Sequence, residues 1–182
     1  MSAARTVHLL RHGVTVRPGL LLGHVDVAVT PQGIADCVRN AAGATFTQVV
    51  SSDLSRAAAC AAALGAPVQH DPRWRELDFG AWDGCDPATL PAETLAAFWR
   101  DPDANPPPQG ERWSALVARV TAALADLPDA TVVVTHGGPI RAALASACGF
   151  DARQVWAFDL PCAALLTLRL WPDTAQIVAL RT

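Results

Sequence analysis

Short apolar runs alternate along this chain with stretches of helical spacing. Thr6 to Leu10 is apolar and leads into Arg11-His12-Gly13, which predicts a buried strand whose C-terminal end carries that tripeptide. Thr30-Pro31 reads as an N-cap followed by proline at the first helical position, and Ile34, Val38 and Ala41 continue the helix. Thr47 to Ser51 predicts a second strand, Leu54 to Leu64 a helix ending at Gly65, and Pro67 to Gln69 a short third strand. Trp113, Leu116, Val117, Val120 and Leu124 recur at the spacing of one helical face. Thr131 to Thr135 is a β-branched strand leading into His136-Gly137-Gly138, with a helix expected over 139–148. Ala163–Leu170 and Thr174–Leu180, parted by Trp171-Pro172-Asp173, read as a closing hairpin.

The stretch from His70 to about Arg112 is different, being rich in tryptophan, proline and aspartate. Pro91 to Arg100 could form a short helix there. Pro106-Pro107-Pro108 precludes regular structure after it, so 101–109 reads as a stiff flap over a site. Apolar runs alternating with helices favour an α/β layer architecture, and 182 residues suit a single domain spanning 1–182.

Composition narrows the chemistry. All 14 basic residues are arginine and none is lysine, which excludes P-loop and Schiff-base chemistries that need lysine. A net charge of −3 argues against a nucleic-acid surface. No apolar run is long enough for a membrane helix, and Val7–Leu10 is too short for a signal peptide, so a soluble, cytoplasmic protein is expected. The five cysteines (Cys37, Cys60, Cys85, Cys148 and Cys162) show no ligand spacing and read as small buried thiols. No metal and no cofactor are expected.

Two histidines occupy equivalent places, each ending an apolar strand and each followed by glycine. Open parallel sheets bind ligands beyond the carboxyl ends of their strands, so His12 and His136 can meet across more than a hundred residues of chain. Arg11 precedes the first, and Arg56 lies just past the second strand. Two guanidinium forks beside two imidazoles can surround a phosphate's oxygens with charge-assisted hydrogen bonds. Gly13 and Gly137 would let the backbone approach such an anion. A histidine nucleophile needs one ring nitrogen held by an acceptor, for which a carbonyl near Gly13 could serve. An acid must also protonate the leaving oxygen, and Glu76, Asp78 and Asp83 are all candidates.

The ordered segments Leu-Leu-Arg-His-Gly, Ser-Ser-Asp-Leu-Ser-Arg-Ala, Arg-Glu-Leu-Asp-Phe-Gly-Ala-Trp-Asp-Gly and Thr-His-Gly-Gly resemble the histidine phosphatase superfamily, phosphoglycerate-mutase-like branch. The resemblance runs from about Val7 to Leu180. It implies a three-layer α/β/α sandwich around a mostly parallel sheet. His12 would be the nucleophile and Glu76 the acid, with Arg11, Arg56 and His136 clamping the phosphoryl group. Thr15 and Gly23 match family positions at the pocket, and His24 and Asp26 sit beside the latter. The chain departs from the pattern at Val14, where a glutamate or glutamine is common, and at Pro18, where an asparagine helps hold phosphate. One phosphate ligand is therefore missing, and Val14–Gly23 should be shaped differently.

Arg112 stands where the resemblance has the serine of a Gly-Glu-Ser segment; it could reach the site and recognise part of the substrate, but exposed arginine is the default and solvent is the expected place. Arg141 is expected to point away from the crevice. Trp82 is the tryptophan most apt to wall the pocket, the others packing core and hinges.

The resemblance implies a phosphomonoesterase acting on a small phosphorylated metabolite through a phosphohistidine on His12. In compactness the chain is similar to the α-ribazole phosphatases of cobalamin synthesis. A mutase of the same branch is a second reading, though such mutases carry a longer segment that closes over the substrate. A phospho-ligand-binding module without turnover is a third. Neither nucleic acid nor membrane is an expected partner, and the oligomeric state is left open.

Overall fold

The computed structural model describes residues 4–182. Six strands form one sheet: β1 (Arg5–Arg11), β2 (Gln48–Ser51), β3 (Val68–His70), β4 (Thr131–Thr135), β5 (Leu165–Leu170) and β6 (Ala175–Arg181), in the spatial order β3-β2-β4-β1-β5-β6. The first four positions in that order are mutually parallel, and β5 and β6 add an antiparallel edge. The chain thus has the expected three-layer architecture, with the closing hairpin as its antiparallel part.

Alternation along the central strands sends side chains to two cores. Leu10, Val132, Val134 and Leu165 face one side, where α1 (Pro31–Ala41) and α2 (Ser55–Ala62) cover them. Val7, Leu9, Val133, Leu166 and Leu168 face the other, against α4 (Trp113–Ala125) and α5 (Gly137–Cys148). The middle segment contributes α3 (Ala92–Arg100) and three short 3-10 turns, two of them capped by Asp71 and Asp86. It also sends Trp74, Leu77, Phe79, Trp82 and Phe98 into this second core. Helix α1 begins as expected: Thr30 Oγ1 accepts from the Gly33 amide at 3.0 Å with Pro31 next in line.

Two elements differ from expectation. Helix α5 starts at Gly137, two residues earlier than predicted, with His136 as its N-cap and Gly149 in the left-handed region as its C-cap. A short helix α6 (Ala152–Val155) stands where none was predicted, started by a capping box between Asp151 and Gln154. That Asp-x-x-Gln spacing is visible in the sequence but lacks the apolar run that would mark it as a helix start.

The flap also differs. Pro108 O accepts from the Ala81 amide and Asp78 O from the Glu111 amide, both at 2.9 Å. These bonds pin the proline run to the 78–81 turn, where Gly80 (φ +52) leaves no room for a side chain beside Pro108 O.

Gly13 is required for a packing reason. A Cβ there would stand 2.1 Å from Gly33 O, and one on Gly33 would stand 2.6 Å from the Val14 amide, so strand end and helix α1 touch backbone to backbone. Gly13→Ala is expected to destabilise the fold by about 1–3 kcal/mol, read as a lower urea midpoint at unchanged m-value. A wild-type midpoint would show that the contact can open freely.

Candidate active site

Parallel pairing aligns Arg11 with Thr135 across β1 and β4, and the His12 amide donates to Thr135 O at 2.9 Å. The two histidines that follow are thereby side by side, their ring centroids 5.0 Å apart at 63°. The third strand end, β2, adds Ser52, whose Oγ lies 2.9 Å from His136 Nε2.

His12 Nδ1 lies 2.8 Å from Gly13 O. A carbonyl only accepts, so Nδ1 carries the hydrogen and Nε2 keeps its lone pair. Burial above all, then the charges of Arg56 and Arg11, push the His12 pKa down to about 3. His136 is fully buried and held well below its ordinary value, by burial first and then by His12, Arg56 and Arg11. Both imidazoles are therefore neutral near pH 7.

Arg56 is also fully buried. Its Nε donates to His136 Nδ1 at 3.2 Å, Nη1 to Val25 O at 3.0 Å, and Nη2 to Leu22 O and Gly23 O at 3.0 and 2.6 Å. Four of its five hydrogens are used within the protein, leaving one on Nη1. Arg11 is the freer guanidinium: it lines the cavity, donates through Nη1 to Leu160 O, and has an Nε without a partner.

The strand ends open into a cavity of about 330 Å³ lined by Arg11, His12, Thr15, Glu76, Gly137 and Gly138 at its polar end. Of the three acids, only Glu76 reaches it. Asp83 is spent on the backbone, accepting from the amides of Gly23, His24 and Val25 at 2.6–3.0 Å. Asp78 accepts from the Gly80 amide. Glu76 Oε1 accepts from the Leu77 amide at 2.8 Å and the Gly138 amide at 3.0 Å. A Cβ on Gly138 would stand 2.1 Å from that oxygen, so this glycine makes room for the carboxylate.

The remaining candidates divide. Thr15 and Gly137 line the cavity, and Gly137 is tight against the guanidiniums of Arg141 and Arg11. Gly13 and Gly23 do not line it. The Gly13 amide is turned to Cys60 Sγ, 3.5 Å away. Gly23 is packed against the 77–83 turn and serves Arg56 through its carbonyl. His24 lies behind the cavity wall, its Nε2 3.1 Å from Glu76 O. Pro18 and Val14 line the cavity where the family pattern has polar groups. Among the described residues, no group of three or more His, Cys, Asp or Glu side chains could hold a metal ion.

Two side chains depart from expectation. Arg141 lines the cavity, since on α5 it lies three and four residues past Gly138 and Gly137 and so on the same helix face. Its guanidinium carbon lies 4.4 Å from the centre of the Trp156 ring. Trp82 is buried edge-on against Phe98 behind the wall, and the indoles that do line the cavity are Trp99, Trp113 and Trp156. Arg119 forms a two-pronged pair with Glu111 and donates to the carbonyls of Arg73, Arg75 and Glu76 at 2.7–2.9 Å, fastening the Glu76 backbone. Arg112 is exposed, as expected, and donates to Asp103 O.

A mostly parallel sheet with a histidine at each of its two central strand ends defines the phosphoglycerate-mutase-like class of α/β folds. The chain belongs to the histidine phosphatase superfamily, branch 1, whose family model matches residues 7–182. It is 33% identical over 165 residues to "Probable phosphoglycerate mutase GpmB" of Proteus mirabilis, covering 80% of this chain and 76% of that one. It is 34% identical over 173 residues to the glucosyl-3-phosphoglycerate phosphatase of Mycolicibacterium vanbaalenii, covering 80% and 75%. An Escherichia coli K-12 crystal structure provisionally assigned as an α-ribazole-5′-phosphate phosphatase superposes with a TM-score of 0.85 at 27% identity, over 99% of this chain and 97% of that one. Phosphatases and mutases thus both stand among its relatives.

The low pKa of His12 has a consequence for stability. The unfolded chain protonates this residue from its ordinary value of 6.5 downward, the folded chain only near 3. Across that window the unfolded state binds more protons, so stability falls as pH falls. Urea midpoints between about pH 7 and about pH 4 are expected to drop less in His12→Asn than in wild type. Equal drops would show that His12 titrates normally in the fold.

Proposed function

We propose that the protein is a phosphomonoesterase that hydrolyses a small phosphorylated metabolite through a phosphohistidine on His12. The observation that carries this reading is the tautomer of His12: Nδ1–H is tied to Gly13 O, leaving a neutral Nε2 beside a cavity shared with the Glu76 carboxylate. In the first step Nε2 bonds to phosphorus as the ester P–O bond breaks. Glu76, in its protonated form, gives its hydrogen to the departing oxygen. Water then enters that place, Glu76 takes its proton, and the new P–O bond displaces His12. Inorganic phosphate leaves with enzyme and acid restored.

Arg11 is the main partner for the phosphoryl oxygens, since its Nε has no other acceptor. Arg56 contributes its one spare Nη1 hydrogen and its fixed charge. Thr15 and Gly137 border the same end. His136 supports Arg56 and packs against His12; because its Nδ1 accepts from Arg56 Nε, its hydrogen is on Nε2, and it can donate to phosphate only by giving up its contact with Ser52 Oγ.

Hydrolysis is favoured over mutase action because, among the described residues, no segment is placed to seal the cavity from water. Of residues 101–110 only Pro102 lines it, while the proline run is tied to the 78–81 turn. With 3-phosphoglycerate, free phosphate is the expected product; isomerised product without free phosphate would establish the mutase. An α-ribazole 5′-phosphate phosphatase is the narrower form of the hydrolase reading, supported by the likeness to the Escherichia coli structure. Binding of phosphorylated ligands without any phosphate release would establish the non-catalytic module.

Radiolabelled phosphate is expected to be trapped on the wild-type protein and not on His12→Ala, with phosphate release across a metabolite panel persisting in EDTA. Glu76→Gln should lower kcat by about 10²–10⁴ while phosphoenzyme still forms from substrates with good leaving groups. Gly138→Ala, which displaces the Glu76 carboxylate, should lower kcat with little change in urea midpoint; unaltered turnover would argue against the carboxylate's present position.

A further inference from the structure

Beyond its polar end, the cavity changes character. Its outer wall is made by Trp99, Trp113 and Trp156 with Leu20, Leu77 and Pro102, none of which has a side-chain hydrogen-bond acceptor. Trp99 is 41% exposed, a large indole left open where the cavity meets solvent. Yet its position is constrained from both sides: it stands edge-on to Phe98 at 4.7 Å and to Trp156 at 5.3 Å and 85°. Trp156 is in turn held between Trp113 and the guanidinium of Arg141. The indoles are thus set before any ligand arrives, so little side-chain freedom is lost on binding.

We infer that this wall seats the leaving group, and that the substrate is a phosphate ester of an alcohol bearing a flat, apolar ring system. The inference rests on the phosphatase reading, since it places the ester oxygen between His12 and Glu76 and the ring outward of it. A leaving group rich in hydroxyls, such as a triose or hexose, would find donors in Arg17, Arg141 and the unpartnered Trp156 indole N–H, and would set its other polar groups against indole and leucine. A ring gains instead from apolar burial and from edge-to-face contact with the indoles. Arg141 supplies a cation beside these indoles, its guanidinium carbon 4.4 Å from the centre of the Trp156 ring. Its Nε is buried without a partner, and its bonds to Gly137 O and Phe158 O are long, at 3.4 and 3.3 Å. It can therefore turn to an acceptor atom carried near the ester.

The test uses monoesters whose leaving groups are all primary alkoxides, so that intrinsic reactivity is matched: naphthylethyl phosphate, glycerol 3-phosphate and 3-phosphoglycerate. The wild-type protein should show kcat/KM for the naphthyl ester about tenfold to a hundredfold above the other two. Trp99→Ala should bring that ratio toward one and Trp99→Phe should keep most of it. A wild-type ratio at or below one overturns the inference, and a preference for 3-phosphoglycerate would assign Arg17 and Arg141, both at the cavity, to a carboxylate instead.

Absence of all turnover would count against the phosphatase reading alone, because the seat is read separately with a non-hydrolysable naphthylethyl phosphonate. That probe should quench tryptophan fluorescence and bind at least about tenfold more tightly than methylphosphonate, with the advantage lost in Trp99→Ala. Equal binding of the two phosphonates overturns the inference whatever the turnover.

Discussion

The parallel pairing of β1 with β4 is the contact on which the rest of this molecule depends. β2 is separated from β1 by β4, a strand that arrives some eighty residues later in the chain, and only that insertion brings the two histidine-bearing ends together. One backbone bond, from the His12 amide to Thr135 O, sets the relative height of the two rings. A slip of one residue would turn every side chain of β1 to the opposite face and break both cores, so packing of Val7, Leu9 and Leu10 enforces the register that the site needs.

Keeping His12 neutral follows from the same arrangement. Two arginines flank it, and neither is neutralised by a carboxylate in contact with its guanidinium. Arg56 is surrounded by carbonyls and His136, and Arg11 by Leu160 O. Carbonyl dipoles hold the guanidiniums in place without cancelling their charge. Glu76, Asp26 and Asp83 act on Arg56 from a distance and offset part of this charge, and the remainder suits an incoming phosphoryl group. The acid side is built differently. Glu76 is oriented by two amides and its backbone is fastened by Arg119, while Asp78 and Asp83 are consumed in shaping the turns around it.

The two ends of the cavity come from separate parts of the chain. The polar end is supplied by strand termini, whose positions the sheet sets within narrow limits. The apolar wall comes from α3, the start of α4 and the turn after α6, elements that touch the sheet only through the second core. Variation there can reshape the outer cavity without disturbing the strand ends, which is consistent with relatives named for different reactions sharing one fold.

Much of this could be read from residue order. The strands, the capped start of α1 and the layer architecture follow from local periodicity and turn chemistry, which act over a few residues. Pairing of His12 with His136 was also legible, because strand ends of an open parallel sheet share one edge. Choosing Glu76 over Asp78 and Asp83 by residue type alone was not possible, since all three carboxylates lie within eight positions and differ only in which amides they meet. Arg141 and the indoles of Trp99, Trp113 and Trp156 are illegible for a related reason: Arg141 shares a face with Gly137 and Gly138 only if both glycines are already helical, and an aromatic pattern does not distinguish core from cavity wall. The sequence by itself determined the elements and the chemical groups available at Arg11-His12-Gly13 and His136-Gly137-Gly138. Tertiary structure alone decided which of those groups stay free, because hydrogen-bond partners such as Gly13 O, Leu22 O and Val25 O are backbone atoms whose positions depend on the folded chain, not on residue identity.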